Sequence, residues 1–302
     1  MAEHSIPGAE LYIWRQQAIK LAKENNIDAS EVDWLLQGLM PINSLSLRLG
    51  DYQHKRAIPS KVSIETLSKK WQQRINNCVP VQYLVGKTPW RNLSLTVTPD
   101  VLIPRSETEL VVDIAAELVE QSPIKEQLLR GRWADLGTGS GAIAIALAQQ
   151  FSEATIYAVD ISEEALAIAQ LNAQQNNLSN RIKFHQGNWL SPLSHTKGKL
   201  CAIVSNPPYI PTSTVQTLQP EVTQHEPHLA LDGGTDGLAS IRTLVEAGTV
   251  YLQPNGLWIT ELMSGQAEDV VNLLTNQHGY TQIEIHSDLS GIQRFVSARK
   301  AI

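Results

Sequence analysis

Cysteine is nearly absent from the 302-residue chain: Cys78 and Cys201 stand far apart, and no C-x-x-C occurs. That excludes a disulfide framework and a cysteine-built zinc cluster. The eight histidines form no i,i+4 pair and no H-E-x-x-H motif, so no metal site is expected. No apolar run approaches the roughly 18 residues that a membrane-spanning helix needs, and residues 1–10 show no basic-then-apolar leader pattern. Charge is sparse too: 18% of residues, with 24 Lys+Arg against 30 Asp+Glu and a net of −6. Neither a disordered tail, nor a collagen-like fibre, nor a cationic coat for nucleic acid has that composition. The expectation is a cytoplasmic, monomeric protein with no membrane contact.

The little charge present is unevenly placed. Residues 1–90 carry a net of +3 and residues 91–302 a net of −9. Glycine divides in a similar way, with only Gly8, Gly38 and Gly50 before Gly86. Together with a length that suits about two domains, this predicts two regions of different construction. In the first, Leu11, Trp14, Ala18, Leu21 and Ala22 share a helix face, as do Ile64, Leu67, Trp71 and Ile75, with Ser60 and Ser63 available as caps. Short helices are predicted at Val32–Leu36 and Leu45–Leu49. Residues 1–88 therefore read as a helical bundle, with Trp14, Trp34 and Trp71 in its core. Leu93, Leu95 and Val97 alternate with polar residues, which predicts a strand or hairpin within a linker over 89–105.

From Ser106 onward the pattern changes. Ser106-Glu107-Thr108-Glu109 has the spacing of a capping box and is expected to open a helix through Leu118. Strand-like segments at Trp133–Leu136, Thr155–Val159, Arg181–His185, Leu200–Val204 and Leu257–Leu262 then alternate with helices such as Ala142–Gln150 and Glu163–Gln175. Thr281–His286 and Gln293–Ala298 flank a turn and read as a closing pair of strands. Alternation of this kind predicts an α/β domain over 106–302, with a mostly parallel sheet covered by helices.

Asp135-Leu136-Gly137-Thr138-Gly139-Ser140-Gly141-Ala142 lies at a strand-to-helix junction. Glycines there let the backbone approach a ligand, and the helix N-terminus offers unpaired N–H groups. Asp160 follows Gly137 by 23 residues at the next strand end, where a carboxylate can bind ribose hydroxyls. An adenosine-containing ligand is implied; the loop alone does not separate a nicotinamide dinucleotide from S-adenosylmethionine.

The predicted strand Ala202–Ser205 runs into Asn206-Pro207-Pro208-Tyr209, beside the glycine loop. A planar amide or amino nitrogen is a poor nucleophile, because its lone pair is delocalised. A site can hold the NH₂ by its two hydrogens and aim the nitrogen at an electrophile. The Asn206 side-chain carbonyl and the Pro207 backbone carbonyl are two such acceptors. The prolines restrict φ, and the Tyr209 ring can lie against a planar group. Catalysis of this kind is mainly positioning, worth up to about 7–11 kcal/mol.

With the glycine loop, this tetrapeptide resembles class I methyltransferases that modify planar NH₂ groups. Gln82-Tyr83-Leu84-Val85-Gly86, Leu102-Ile103-Pro104-Arg105-Ser106-Glu107-Thr108-Glu109, Glu226-Pro227 and Leu231-Asp232-Gly233-Gly234-Thr235-Asp236-Gly237-Leu238 narrow the resemblance to the HemK/PrmC family, over about 82–299. That family methylates the glutamine N5 of the Gly-Gly-Gln motif in peptide chain release factors. The resemblance implies a Rossmann-like, seven-stranded, mostly parallel sheet, S-adenosylmethionine as cofactor, and an N-terminal substrate-recognition domain. It further implies that Gly137, Thr138, Gly139, Ser140 and Gly141 cradle the methionine part, that Asp160 binds the ribose, and that Trp189 covers the adenine. Asn206 would touch cofactor and substrate, and Pro207, Pro208 and Tyr209 would shape the glutamine pocket. Asn188 replaces a common acidic residue, and Thr260-Glu261-Leu262-Met263-Ser264-Gly265-Gln266 departs from the usual strand end. Both departures are expected to stand clear of the chemistry.

Arg105 and Glu109 read either as groups that close the site or as a helix-start ion pair. His225 and His228 read as loop residues that could line a lid. A ribosomal-protein glutamine is an alternative substrate. So is an adenine N6 of nucleic acid, although the −9 half does not suit a polyanion. The +3 half suits docking of an acidic protein partner through Lys55, Arg56, Lys69 and Lys70.

Overall fold

The computed structural model describes residues 4–302. Two compact units make up the chain. The first runs to Thr88 and takes in Gln219–His225; the second holds Pro89–Leu218 and Glu226–Ile302.

In the first unit, strand β1 (His4–Ile6) pairs antiparallel with β2 (Ile58–Ser60), and the helices that precede Thr88 surround an apolar core. They are α1 (Gly8–Glu24), α2 (Ser30–Leu39), α3 (Ser44–Leu49), α4 (Ile64–Asn77) and α5 (Val81–Val85). Helix α4 starts where expected, since the Ser63 hydroxyl accepts from the Thr66 N–H at 3.2 Å. Leu11, Leu35, Leu67 and Trp71 are fully enclosed, whereas Trp14 and Trp34 are half-buried at the core's edge. The Trp14 indole N–H donates to the Ser68 hydroxyl at 2.9 Å. Arg74 is a buried cation: Nε and Nη2 donate to the Glu31 carboxylate at 2.5 and 2.9 Å, and Nη2 donates to Glu221 at 2.8 Å. Charge-assisted pairing of this kind offsets the cost of burying a guanidinium. Lys70 donates to the Leu84 carbonyl at 2.8 Å and so is engaged within the unit.

A hairpin, β3 (Lys87–Trp90) and β4 (Leu93–Thr96), leads into the second unit. Its inward residues Trp90, Leu93 and Leu95 are buried in the main core. Asn172 clasps β4, accepting from the Thr96 N–H at 2.7 Å and donating to the Thr96 carbonyl at 3.0 Å. Helices α6 (Leu110–Glu120) and α7 (Lys125–Arg130) precede the sheet. The expected capping box at Ser106 is not formed. Ser106 itself has helical angles (φ −60°, ψ −36°), so it cannot serve as an N-cap, and its hydroxyl donates to Glu107 at 2.9 Å. A 3₁₀ turn, Glu107–Glu109, opens the helix instead, and the Glu109 carboxylate accepts from the Arg91 N–H at 2.9 Å.

The sheet is built from β5 (Arg132–Leu136), β6 (Thr155–Asp160), β7 (Ile182–Gln186), β8 (Leu200–Ser205), β9 (Leu252–Glu261), β10 (Tyr280–Ser287) and β11 (Gln293–Lys300). Its order is β10-β11-β9-β8-β5-β6-β7, and β11 alone runs against the other six. This is the mostly parallel, seven-stranded α/β architecture that the resemblance implied. Helix α8 (Ala142–Gln150) is buried from Ala142 to Ala148 and joins α6 on one face with Trp133, Ile145 and Leu147; α9 (Glu163–Gln175) follows β6. After β8 come the short helices α10 (Thr212–Val215) and α11 (Pro220–His225), the latter counted in the first unit. Helices α12 (Ala239–Tyr251) and α13 (Ala267–Asn276) cover the other face with Leu244, Trp258 and Leu274. Among the described residues, no helix is long and apolar enough to cross a membrane.

Candidate active site

Strand β5 lies between β6 and β8. The connections therefore diverge at β5, and such a switch point opens a crevice at the carboxyl ends of the strands. The glycine loop leaves β5 there, and Asn206–Tyr209 leaves β8 directly beside it. Buried Asp135 ties the loop down: its Oδ2 accepts from the Thr138 hydroxyl at 2.5 Å and from the Ala144 N–H at 3.0 Å. Its Oδ1 is buried without a partner, and burial pushes the carboxyl up to about 7. Gly139 has a φ of +52°, and a Cβ there would meet no atom within 4 Å, so the bare backbone faces open space. The positive φ favours glycine, which leaves that backbone uncovered.

That space is a cavity of about 590 Å³, lined among others by Gly137, Gly139, Asp160, Asn188, Trp189, Asn206 and Pro208. The volume suits a cofactor-sized ligand. Asp160 ends β6, and its two oxygens accept from the N–H groups of Gly139 (2.8 Å) and Ser162 (3.0 Å). Burial raises its pKa while those bonds lower it. Each oxygen keeps a further lone pair for a hydroxyl donor. The Trp189 ring stands against Gly137, where a Cβ would sit 3.5 Å from it. Thr138, Ser140 and Gly141 do not line this cavity. The Thr138 hydroxyl is turned to Asp135, the Ser140 carbonyl accepts from Asn172 at 2.9 Å, and Gly141 packs on Ala169. An exposed glycine backbone, a carboxylate at the far wall and a flat indole together fit an adenosyl ligand.

Asn206, the first residue of the tetrapeptide, lines the cavity. Its Nδ2 donates to the Thr108 hydroxyl at 3.2 Å, which leaves Oδ1 as the atom available to accept. Pro207 is buried. Tyr209 is pinned at both ends: its hydroxyl donates to Glu261 Oε1 at 3.0 Å, and its carbonyl accepts from the Gln266 amide at 3.0 Å. Strand β9 lies next to β8 and delivers Glu261, which the 260–266 segment shares with the usual strand end, beside Tyr209. Burial and the neighbouring Glu261 both push the Tyr209 hydroxyl's pKa upward, so it stays a donor.

The Leu231–Leu238 motif backs this loop. Ile210 N–H donates to the Leu231 carbonyl at 3.0 Å, and Gly233 N–H donates to the Ile210 carbonyl at 2.8 Å. Gly237, at φ +76°, would bring a Cβ to 2.3 Å from the Tyr209 carbonyl oxygen, so only glycine lets the two backbones meet. Arg105 and Glu109 do not pair. Arg105 Nη2 instead donates to both oxygens of buried Glu226, at 2.8 and 2.9 Å. His225 is bonded to the Asn77 carbonyl at 2.6 Å within the first unit.

Thr108, Glu261 and Gln266 are the residues that sequence reading missed. All three lie inside quoted motifs, but nothing in the spacing shows that Thr108 reaches Asn206 or that Glu261 and Gln266 reach Tyr209.

A family model described as Methyltransferase small domain matches residues 108–235. A release factor glutamine methyltransferase from Synechocystis sp. is 48% identical over 97% of both chains. The enzyme of that name from Thermosynechococcus vestitus is 46% identical over 95% of this chain and 96% of its own. One from Coxiella burnetii is 40% identical over 78% of this chain and 80% of its own. Among solved structures, the hMettl16 catalytic domain in complex with MAT2A 3'UTR hairpin 1 has a TM-score of 0.54 at 13% identity, over 94% of this chain and 93% of that one. That likeness shows the class I methyltransferase fold. The cavity at the switch point, the Asn-Pro-Pro-Tyr loop beside it and identity sustained over almost the whole length agree: the chain belongs to the release factor glutamine methyltransferase family.

Proposed function

We propose that the protein acts in the cytoplasm, transferring a methyl group from S-adenosylmethionine to the N5 side-chain amide of the Gly-Gly-Gln glutamine in peptide chain release factors. The observation that carries this is the orientation of Asn206, whose nitrogen donates to Thr108 at 3.2 Å while its oxygen remains to accept from a substrate NH₂. Asp160 would hold the ribose hydroxyls, Gly137 and Gly139 the methionine part, and Trp189 the adenine. When bound, S-adenosylmethionine supplies an electrophilic methyl group.

The chain's own residues then do the positioning. Asn206 Oδ1 and the Pro207 carbonyl take one hydrogen each of the substrate amide, which directs its nitrogen at the cavity. The Tyr209 ring, held by Glu261 and Gln266, supplies a flat wall. No side chain is required to remove a proton beforehand, because an amide N–H is far too weak an acid near neutral pH. The proton leaves after methylation has raised the nitrogen's acidity. The net of −9 over residues 91–302 further disfavours a nucleic-acid substrate.

Incubation with labelled S-adenosylmethionine and a purified release factor, followed by mass spectrometry, tests the reading. Label on the Gly-Gly-Gln glutamine is expected, and Asn206→Ala should abolish it while cofactor binding persists. Label on DNA, RNA or a ribosomal protein, with none on the factor, would overturn it.

A further inference from the structure

An asparagine can hold a substrate NH₂ only if its oxygen, and not its nitrogen, faces the substrate. The two ends of a carboxamide have nearly the same shape, so sterics alone do not choose between them. What chooses here is Thr108, whose hydroxyl accepts from Asn206 Nδ2 at 3.2 Å. A hydroxyl can donate or accept, however, so Thr108 settles the matter only if its own proton is engaged elsewhere.

Glu261 offers an acceptor for that proton. It ends β9, which pairs with β8 so that Thr260 lies opposite Ser205, the residue before Asn206. Its carboxyl is almost wholly buried, Oε1 accepts from Tyr209, and Oε2 is buried with no partner of its own. Thr108 is buried too, and its hydroxyl is among the neighbours that oppose the burial-driven rise in Glu261's proton affinity. The structure assigns to Glu261 the role of a positioning residue that takes the Thr108 proton, and thereby forces Asn206 to turn its carbonyl oxygen toward the substrate amide. The chain of donors runs one way: Asn206 to Thr108, Thr108 to Glu261, Tyr209 to Glu261. An ionised carboxylate, an acceptor on both oxygens, is the terminus that makes this direction compulsory. The assignment rests on the glutamine-methylation reading for what Asn206 faces.

Replacing Glu261 by glutamine inverts the chain. With the new amide oxygen facing Tyr209, its NH₂ faces Thr108, Thr108 must accept, and its proton turns to Asn206 Oδ1. Asn206 then presents NH₂ to NH₂. Protonation of Glu261 has the same consequence. Burial lifts this carboxyl to about 7, with Glu107 adding to the rise and Thr108, Tyr209 and Arg294 opposing it.

The test uses the full chain with a release factor as substrate. Glu261→Gln should lower kcat by about 10- to 100-fold, the range expected for misplaced reacting groups, with the dissociation constant for S-adenosylmethionine unchanged. Wild-type kcat should fall below about pH 7, and Glu261→Gln should lack that acid limb. Thr108→Val should also lose rate, Thr108→Ser should recover most of the loss, and adding Glu261→Gln to Thr108→Val should cost nothing more. The ¹⁵N signal of the Asn206 carboxamide should shift in Glu261→Gln even without substrate. Wild-type rates in Glu261→Gln, or a full further loss in the double variant, would overturn the assignment. An inactive wild type would instead overturn the substrate reading. Should Glu261→Gln fail to fold, the Val and Ser variants at Thr108 read the same relay: equal rates in the two would overturn it.

Discussion

Replacing Arg105 by alanine leaves Glu226 as a buried carboxylate with one remaining neutral donor, the Ile103 N–H. The glutamate side chain is only 2% exposed, while that of Arg105 is 35% exposed. Breaking a buried pair by removing one partner costs about 3–5 kcal/mol. Solvent already screens part of the guanidinium, so about 2–3 kcal/mol is the expected cost here. Glu226→Gln should cost less, about 1 kcal/mol, because a neutral amide can keep a hydrogen bond and the arginine can turn to water. In the Glu226→Gln background, Arg105→Ala should then add almost nothing, a coupling of about 2 kcal/mol. Hydrogen exchange read by mass spectrometry over 101–106 and 226–238 measures the opening free energy of these segments. The pH dependence follows from the sign of the shift. Burial raises the Glu226 pKa and Arg105 lowers it, so removing the arginine raises it further above the unfolded value of about 4.3. A carboxyl raised in the folded state contributes stability below the unfolded pKa and loses it as pH rises toward the folded one. The deficit in Arg105→Ala should therefore be smaller at pH 5 than at pH 8. Equal cost of Arg105→Ala with and without the Glu226 carboxylate would refute the reasoning.

Asp135, lifted to about 7 by burial, should make the second unit lose stability as pH rises from about 4 to about 7. Asp135→Asn should flatten that part of the profile in urea titrations, whereas an unchanged slope would assign it to other carboxyls. Gly131→Ala would set a Cβ 2.1 Å from Cys201 Sγ and 2.4 Å from the Gln127 carbonyl oxygen. A loss of about 1–3 kcal/mol is expected, only partly recovered by adding Cys201→Ala, because the backbone oxygen stays; full recovery would contradict this.

The parts of the site legible in the sequence are those whose chemistry is local. The glycine loop declares itself because one short stretch holds a strand end, the turn and a helix start. Asp160 follows from the next strand end, and Asn206–Tyr209 from residue types alone. The relay was illegible because it joins Thr108 in a 3₁₀ turn to Glu261, 153 residues later, through the neighbouring positions of β8 and β9. Ser106 misled for a local reason, since the cap pattern presumes an extended residue and Ser106 is helical. Arg105 and Glu109 matched a helix-start pair in spacing, yet each had a better partner, Glu226 and the Arg91 N–H, brought up by the fold.

The seven residues Gln219–His225 belong to the first unit although the sequence carries them deep inside the second. Arg74 draws one of its carboxylates from this stretch, and Asn77 binds His225. The N-terminal unit is accordingly not a cassette. A chimera that exchanges only the chain before Thr88 for a relative's would join a foreign helix α4 to a resident Glu221 and His225. A clean graft has two pieces, and the second is cut from the middle of the methyltransferase reading frame.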